Sequence, residues 1–292
     1  MKAFIFPGQG SQFIGMGHDL YLSSTVAKKM FETGNKLLGF DICKIMFEGQ
    51  AEELKQTNVT QPAIFLHSVI LAHCISNFNP DMVAGHSLGE LSALVSAKAI
   101  SFEDGLKLVM QRADAMQAAC KLKKSSMAAI IGLDSVIIKK TCEEENKIVV
   151  IANYNSPNQI VISGDTNAVE SACIKLAEMG AKRTILLPVG GAFHSPLMEP
   201  AKRKLKMAID DIHFNKPICP IYQNVSAKPI IEQSELKENL IQQLTSSVQW
   251  YQTINNMIND GAKKFIEVGP GNVLIGLNRR INKEVSSEKA KL

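Results

Sequence analysis

The sequence predicts a three-layer α/β domain built on a parallel sheet, with a smaller unit inserted into it. Three observations lead there. Short apolar runs alternate with amphipathic helical stretches along most of the chain. One of these runs, Met82-Val83-Ala84, passes through Gly85-His86-Ser87-Leu88-Gly89 into the amphipathic stretch 90–95, a strand-turn-helix sequence. Between about 125 and 190 the elements change order to β-α-β-β-α-β, the split pattern of a ferredoxin-like unit.

In chain order, residues 2–6 read as a buried strand running into the glycine-rich loop Pro7-Gly8-Gln9-Gly10-Ser11-Gln12. A helix is expected from Thr60, as cap, with Pro62 in its first turn and Ile64, Phe65, Leu66, Val69 and Ile70 along it. After the Ser87 turn and its helix, residues 101–116 read as another helix with Phe102, Leu106, Val109 and Met110 on one face. The inserted unit is read as strand 126–133, helix 135–145, strands 147–152 and 159–163 joined by a loop 153–158, helix 166–179 and strand 182–189. This gives a discontinuous main domain, 1–124 and 191–292, and a subdomain, 125–190. A last strand is expected at 264–268 before Gly269-Pro270-Gly271, and the polar tail 286–292 is expected to fray.

Composition excludes several classes. With 292 residues, 46% of them hydrophobic, the chain can bury a large core. Its six cysteines show no C-x-x-C pair, which points to reduced thiols in a cytoplasmic protein and to no metal site. No signal peptide or membrane span is legible. A net charge of +4 with few aromatics argues against nucleic-acid binding. Basic clusters at 121–124, 202–206 and 279–283 read as solvated faces or as docking surfaces for an acidic partner.

Ser87 carries the chemistry. Glycines on either side allow a tight turn that exposes its hydroxyl at the foot of a helix, where backbone N–H groups from Leu88 onward can meet an oxyanion. A serine needs a base, and His194 is the best of six histidines. It lies in Val189-Gly190-Gly191-Ala192-Phe193-His194-Ser195-Pro196, a loop shaped by glycines and proline after a strand. His67 and His73 read as packing residues, and His86 sits in the turn itself and cannot bend back onto its neighbour.

With Phe6-Pro7-Gly8-Gln9-Gly10-Ser11-Gln12, Thr60-Gln61-Pro62-Ala63, Gly85-His86-Ser87-Leu88-Gly89-Glu90, Gln111-Arg112, Asn155-Ser156-Pro157, Gly191 to Met198, Val248-Gln249-Trp250 and Glu267 to Gly271 in this order, the chain resembles the malonyl-coenzyme A:acyl carrier protein transacylases of dissociated fatty acid synthesis. The resemblance spans nearly the whole length. It implies an α/β-hydrolase-like main domain with an inserted ferredoxin-like subdomain. It also implies that Ser87 forms a malonyl ester, that His194 is the base, and that the N–H groups of Leu88 and Gln9 form the oxyanion hole. Gln249 would orient the histidine through its backbone carbonyl. Arg112 would hold the malonyl carboxylate in its planar fork, and Phe193 would narrow the acyl pocket. The substrates implied are malonyl-coenzyme A and holo acyl carrier protein, with no cofactor or metal, and a monomer acting in the cytoplasm.

Two other functions fit the residues. In a serine esterase or thioesterase water would be the acceptor, but no aspartate between Ser87 and His194 sits at a convincing site for the third member of a triad. A non-catalytic carrier-protein-binding protein would have no need of Ser87, His194 and Arg112 together.

Overall fold

A computed structural model describes residues 1–292. Its strands are β1 (Lys2–Phe6), β2 (Met82–Gly85), β3 (Ser125–Ile131), β4 (Val149–Ser156), β5 (Gln159–Asp165), β6 (Arg183–Leu186), β7 (Ile221–Tyr222), β8 (Pro229–Ile230), β9 (Lys264–Glu267) and β10 (Ser286–Lys289). The helices before the Ser87 turn are α1 (His18–Ser23), α2 (Thr25–Leu38), α3 (Ile42–Glu48), α4 (Ala51–Leu54) and α5 (Thr57–Cys74). Those after it are α6 (Gly89–Ser96), α7 (Phe102–Leu122), α8 (Ser135–Glu143), α9 (Thr166–Glu178), α10 (Glu199–Asp210), α11 (Gln233–Gln242), α12 (Trp250–Asn259) and α13 (Val273–Ile281).

The main sheet has the order β10-β9-β1-β2-β7-β8, parallel throughout except for the β7–β8 pair. Alternation along β1 and β2 builds the two outer layers. Phe4, Phe6 and Val83 join the apolar cluster of α5, α6 and α7, whereas Ala3, Ile5, Met82 and Ala84 pack with Trp250, Ile254, Phe265 and Leu274 on the opposite face. Helix α5 is buried nearly all round, from Val59 to Ala72, as expected of a helix sandwiched between layers.

The second sheet has the order β4-β5-β3-β6, wholly antiparallel, with α8 and α9 covering one face. Here too the strands alternate. Ala128, Ile130, Ile160 and Ile162 face Ile138, Val169 and Leu176, while Met127, Ala129 and Val161 join the main core. The fold is therefore an α/β-hydrolase-like sheet with a ferredoxin-like insertion, and the insertion closes over the end of the sheet that carries Ser87.

Four local expectations are corrected. Helix α5 begins at Thr57, so Pro62 lies in its second turn; Thr60 is no cap, because its hydroxyl donates to the Leu54 carbonyl of the preceding turn. Helix α7 continues past Met116 to Leu122 because Ala115, Met116 and Ala119 keep one face buried. The expected loop 153–158 is mostly strand, leaving Pro157 and Asn158 as a tight turn; two register shifts in β4 accommodate the polar Asn153 and Asn155. The polar tail does not fray. Residues of β10 add a parallel edge strand to β9, helped by an ion pair from Lys264 to Glu288 at 2.8 Å. Its polar sequence fits an edge exposed to water on one side.

Candidate active site

Close approach of three chain segments creates the Ser87 turn. A Cβ on Gly85 would lie 1.9 Å from the Gly89 carbonyl carbon, and one on Gly89 would lie 2.0 Å from the Phe6 carbonyl oxygen. Only glycine fits at either place, so the start of α6 can press against the end of β1. Ser87 itself adopts φ 53°, a left-handed conformation costing a non-glycine residue on the order of 1–2 kcal/mol. The hydroxyl is thereby turned toward the loop after β6.

That loop supplies His194, also left-handed at φ 57°. The loop is pinned by Ser125, whose hydroxyl accepts from the Ala192 N–H, and by Ser195, whose hydroxyl donates to the Ala192 carbonyl. His194 Nε2 lies 2.8 Å from Ser87 Oγ, and its Nδ1 lies 2.9 Å from the Gln243 carbonyl oxygen. With Nδ1–H donating to that carbonyl, Nε2 is free to accept the serine proton. The orienting carbonyl thus belongs to Gln243, not to Gln249. Gln249 precedes α12, where its N–H donates to the Asn224 carbonyl and its own carbonyl accepts from Thr253.

Arg112 lies beneath the serine on α7, 1% exposed. Its Nη1 donates to Gln61 Oε1 at 2.7 Å, and its Nη2 to Gln243 Oε1 at 3.0 Å and Ser87 Oγ at 3.1 Å. Nε has no partner, and no carboxylate hydrogen-bonds or ion-pairs with the guanidinium. Burial lowers its pKa only to about 10, so it stays charged at neutral pH. Burial first, and then the charge of Arg112, push the His194 pKa down to about 3, so that the ring is neutral and able to act as a base.

Ser87, Leu88, Arg112, Phe193, His194 and Gln9 line one cavity of about 340 Å³. The N–H groups of Leu88 and Gln9 make no hydrogen bond within the chain. Asn155 from the insertion holds His86 from across the cavity, with Oδ1 2.8 Å from the ring Nε2. Two larger grooves, one around Phe40 and Lys44 and one around Met30 and Phe78, hold no comparable nucleophile and base. No three His, Cys, Asp or Glu side chains gather in a way that could hold a metal ion.

Six of the seven residues singled out from the sequence therefore meet in one cavity, and Gln249 does not. Sequence reasoning missed Gln243, whose context Gln242-Gln243-Leu244 carries no signal, and Asn224, which follows the two-residue strand β7. Gln61 did carry one. An amide before proline on a helix otherwise apolar is a buried polar group in need of a partner, here Arg112.

A strained serine, a histidine with its second nitrogen on a main-chain carbonyl, and two free N–H groups define a serine-dependent acyl-transfer site. Residues 3–291 match the acyl transferase domain family, and the chain belongs to that family. It is 44% identical over 290 residues to the malonyl CoA-acyl carrier protein transacylase of Bacillus subtilis, covering 98% of this chain and 92% of that one. The Escherichia coli K12 protein of the same name is 43% identical over 284 residues, covering 96% and 92%. Among solved structures, the acyl-carrier-protein-S-malonyltransferase of Bartonella henselae superposes with a TM-score of 0.96 at 41% identity, covering 99% and 94%. A malonyl-transacylase solved in complex with a type II PKS acyl-carrier protein gives 0.95 at 37% identity, covering 99% and 95%.

Proposed function

We propose that the protein transfers malonyl from coenzyme A to the phosphopantetheine thiol of acyl carrier protein through an ester on Ser87, supplying the extender unit for fatty acid synthesis. The observation that carries this reading is Arg112. A buried guanidinium with only neutral hydrogen-bond partners is costly. Buried Glu90 acts on Arg112 only at a distance, so a substrate carboxylate at that fork supplies the direct charged contact and marks the acyl group as a diacid. Simple acyl groups would leave the cation unpaired. Phe193, 7% exposed on the cavity wall, limits branching at the α-carbon.

In the first half-reaction Ser87 Oγ attacks the thioester carbon while His194 Nε2 takes its proton. The Leu88 and Gln9 N–H groups receive the oxyanion. The carbon–sulfur bond then breaks, and His194 returns the proton to the departing coenzyme A thiolate. The carrier thiol reverses these steps: it gives its proton to His194, attacks the ester, and Ser87 leaves as the alcohol. One base and one oxyanion hole serve both directions, and the chemistry calls for no cofactor or metal.

The second substrate is an acidic carrier protein. Of the basic clusters, 202–206 is largely engaged internally, with Lys202 on Gln242, Arg203 on Glu199 and Lys206 on Asp210. Lys121, Lys124, Arg279 and Lys283 have no such partners. Gly191, in the loop that carries His194, packs on Cys120, which places the 121–124 cluster beside that loop. The 121–124 cluster is the proposed docking surface of a protein acting in the cytoplasm as a monomer, with its residues 1–124 and 191–292 forming the catalytic domain and 125–190 the inserted one. No helix is long and apolar enough to cross a membrane.

Intact-protein mass spectrometry after brief mixing with malonyl-coenzyme A tests the reading. A malonyl adduct is expected on the wild type, absent from Ser87→Ala and discharged by holo acyl carrier protein. Steady release of free malonate without transfer would overturn it in favour of a hydrolase.

A further inference from the structure

The strained Ser87 turn has a support that neither the acid–base pair nor the substrate contacts supply. Asn224, 1% exposed, lies just after β7, the strand beside β2 in the sheet. Its carboxamide brackets the turn. Oδ1 accepts the Ser87 N–H at 2.7 Å, and Nδ2 donates to the Gly85 carbonyl at 2.6 Å. One planar group therefore fixes the residues on both sides of His86 and with them the φ of the nucleophile.

Asn224 is in turn held from below by Glu90. That carboxylate, fully buried in the first turn of α6, accepts the Asn224 N–H at 2.7 Å on one oxygen and Gln223 Nε2 at 3.2 Å on the other. Both hydrogen bonds to Glu90 come from donors, so the position demands an acceptor and not merely a side chain of that shape. A hydrophobic residue of similar size would fill the space and leave the buried Asn224 N–H without its acceptor.

We propose that Asn224 and Glu90 are positioning residues for acyl transfer: Asn224 clamps the Ser87 turn in its left-handed conformation, and Glu90 acts through Asn224 by fixing the clamp. Gln249 belongs to the same arrangement, because its N–H donates to the Asn224 carbonyl at 2.9 Å. The glutamine beside Trp250 thus supports the nucleophile and not the base. This inference rests on Ser87 as the acylated residue, so its test must separate the two.

Purified full-length protein at pH 8 is treated with a fluorophosphonate, which labels a serine activated by a base and needs no malonyl group. Intact-mass detection gives the labelling rate, and malonyl-coenzyme A titration gives KM beside it. Asn224→Ala and the near-isosteric Glu90→Gln are each expected to label at least tenfold more slowly than wild type, with KM for malonyl-coenzyme A within threefold. Circular dichroism reports folding. Should Asn224→Ala fail to fold, Glu90→Gln decides alone. Labelling of a folded Glu90→Gln or Asn224→Ala protein within threefold of wild type overturns the proposal, as does a rise in KM with unchanged labelling. A wild type that is not labelled at Ser87 overturns instead the serine chemistry on which the proposal stands.

Discussion

His194 Nδ1 meets the main-chain carbonyl of Gln243 at 2.9 Å, where serine hydrolases usually place a carboxylate. A carbonyl fixes the tautomer and the ring plane as a carboxylate does. It offers no full negative charge to stabilise an imidazolium, and the low pKa of His194 agrees with that.

Because the contact is made by the backbone, side-chain changes at residue 243 test something else. Gln243 also accepts from Arg112 through Oε1 and donates from Nε2 to the Ser87 carbonyl at 3.0 Å. Gln243→Ala is expected to slow Ser87 malonylation by ~10- to 100-fold, the worth of one hydrogen bond to a charged group. Gln249→Ala, which keeps the main-chain bond to Asn224, is expected within threefold of wild type. Rapid-quench mass spectrometry distinguishes them.

Much of this site was legible in the sequence, and its one error has a physical cause. Ser87 and Leu88 announce themselves because glycines must flank a turn that packs against β1, and His194 because its loop needs glycine and proline; Gln9 is reached only through the family resemblance. A carbonyl leaves no trace in residue identity. Any residue could present one, and it is the fold of the 3-10 turn Gln243–Thr245 that brings the Gln243 carbonyl to His194. The fold shows the same division. The apolar runs of β1 and β3 are readable as buried strands, whereas β10 is held by pairing to β9 and not by any apolar pattern of its own.

Arg112→Ala should slow malonyl transfer by ~10²- to 10³-fold, the effect of removing one partner of a buried charge pair worth roughly 3–4 kcal/mol. Acetyl transfer should fall far less or rise. Arg112→Lys keeps the charge and loses the planar fork, and should recover only part of the malonyl rate. Parallel acylation rates with malonyl- and acetyl-coenzyme A measure the ratio; an unchanged ratio in Arg112→Ala would remove the guanidinium from acyl selection.

The pKa of His194 is lowered to about 3, so its ring is expected to remain neutral at pH 5, where an ordinary histidine is mostly charged. Between the unfolded value of 6.5 and the folded value of about 3 the unfolded chain binds the extra proton, so this group's contribution to stability falls as pH drops through that window. Arg112→Ala removes one cause of the lowering and should move the midpoint upward. Ring nitrogen shifts from isotope-labelled histidine, followed by NMR from pH 7.5 to 4.5, should show the wild-type ring neutral throughout and protonation beginning at higher pH in Arg112→Ala than in wild type.

Deleting residues 286–292 strips β10 from β9 and removes the Ala290 N–H bond to the Glu267 carbonyl. A loss of ~1–3 kcal/mol is expected, lowering the thermal midpoint by roughly 2–10 °C, with malonylation unchanged at 25 °C. Differential scanning calorimetry beside the activity assay checks both halves.

The order of strands in the main sheet also has a consequence for biosynthesis. β1 is made first and lies between β2 and β9, and β9 begins only at Lys264. At about 5–20 residues per second, the first strand emerges from the ribosome roughly 13–50 s before its second neighbour exists. For that interval one edge of the nascent sheet stands open with Phe4 and Phe6 beside it, a target for chaperones and a hazard for aggregation.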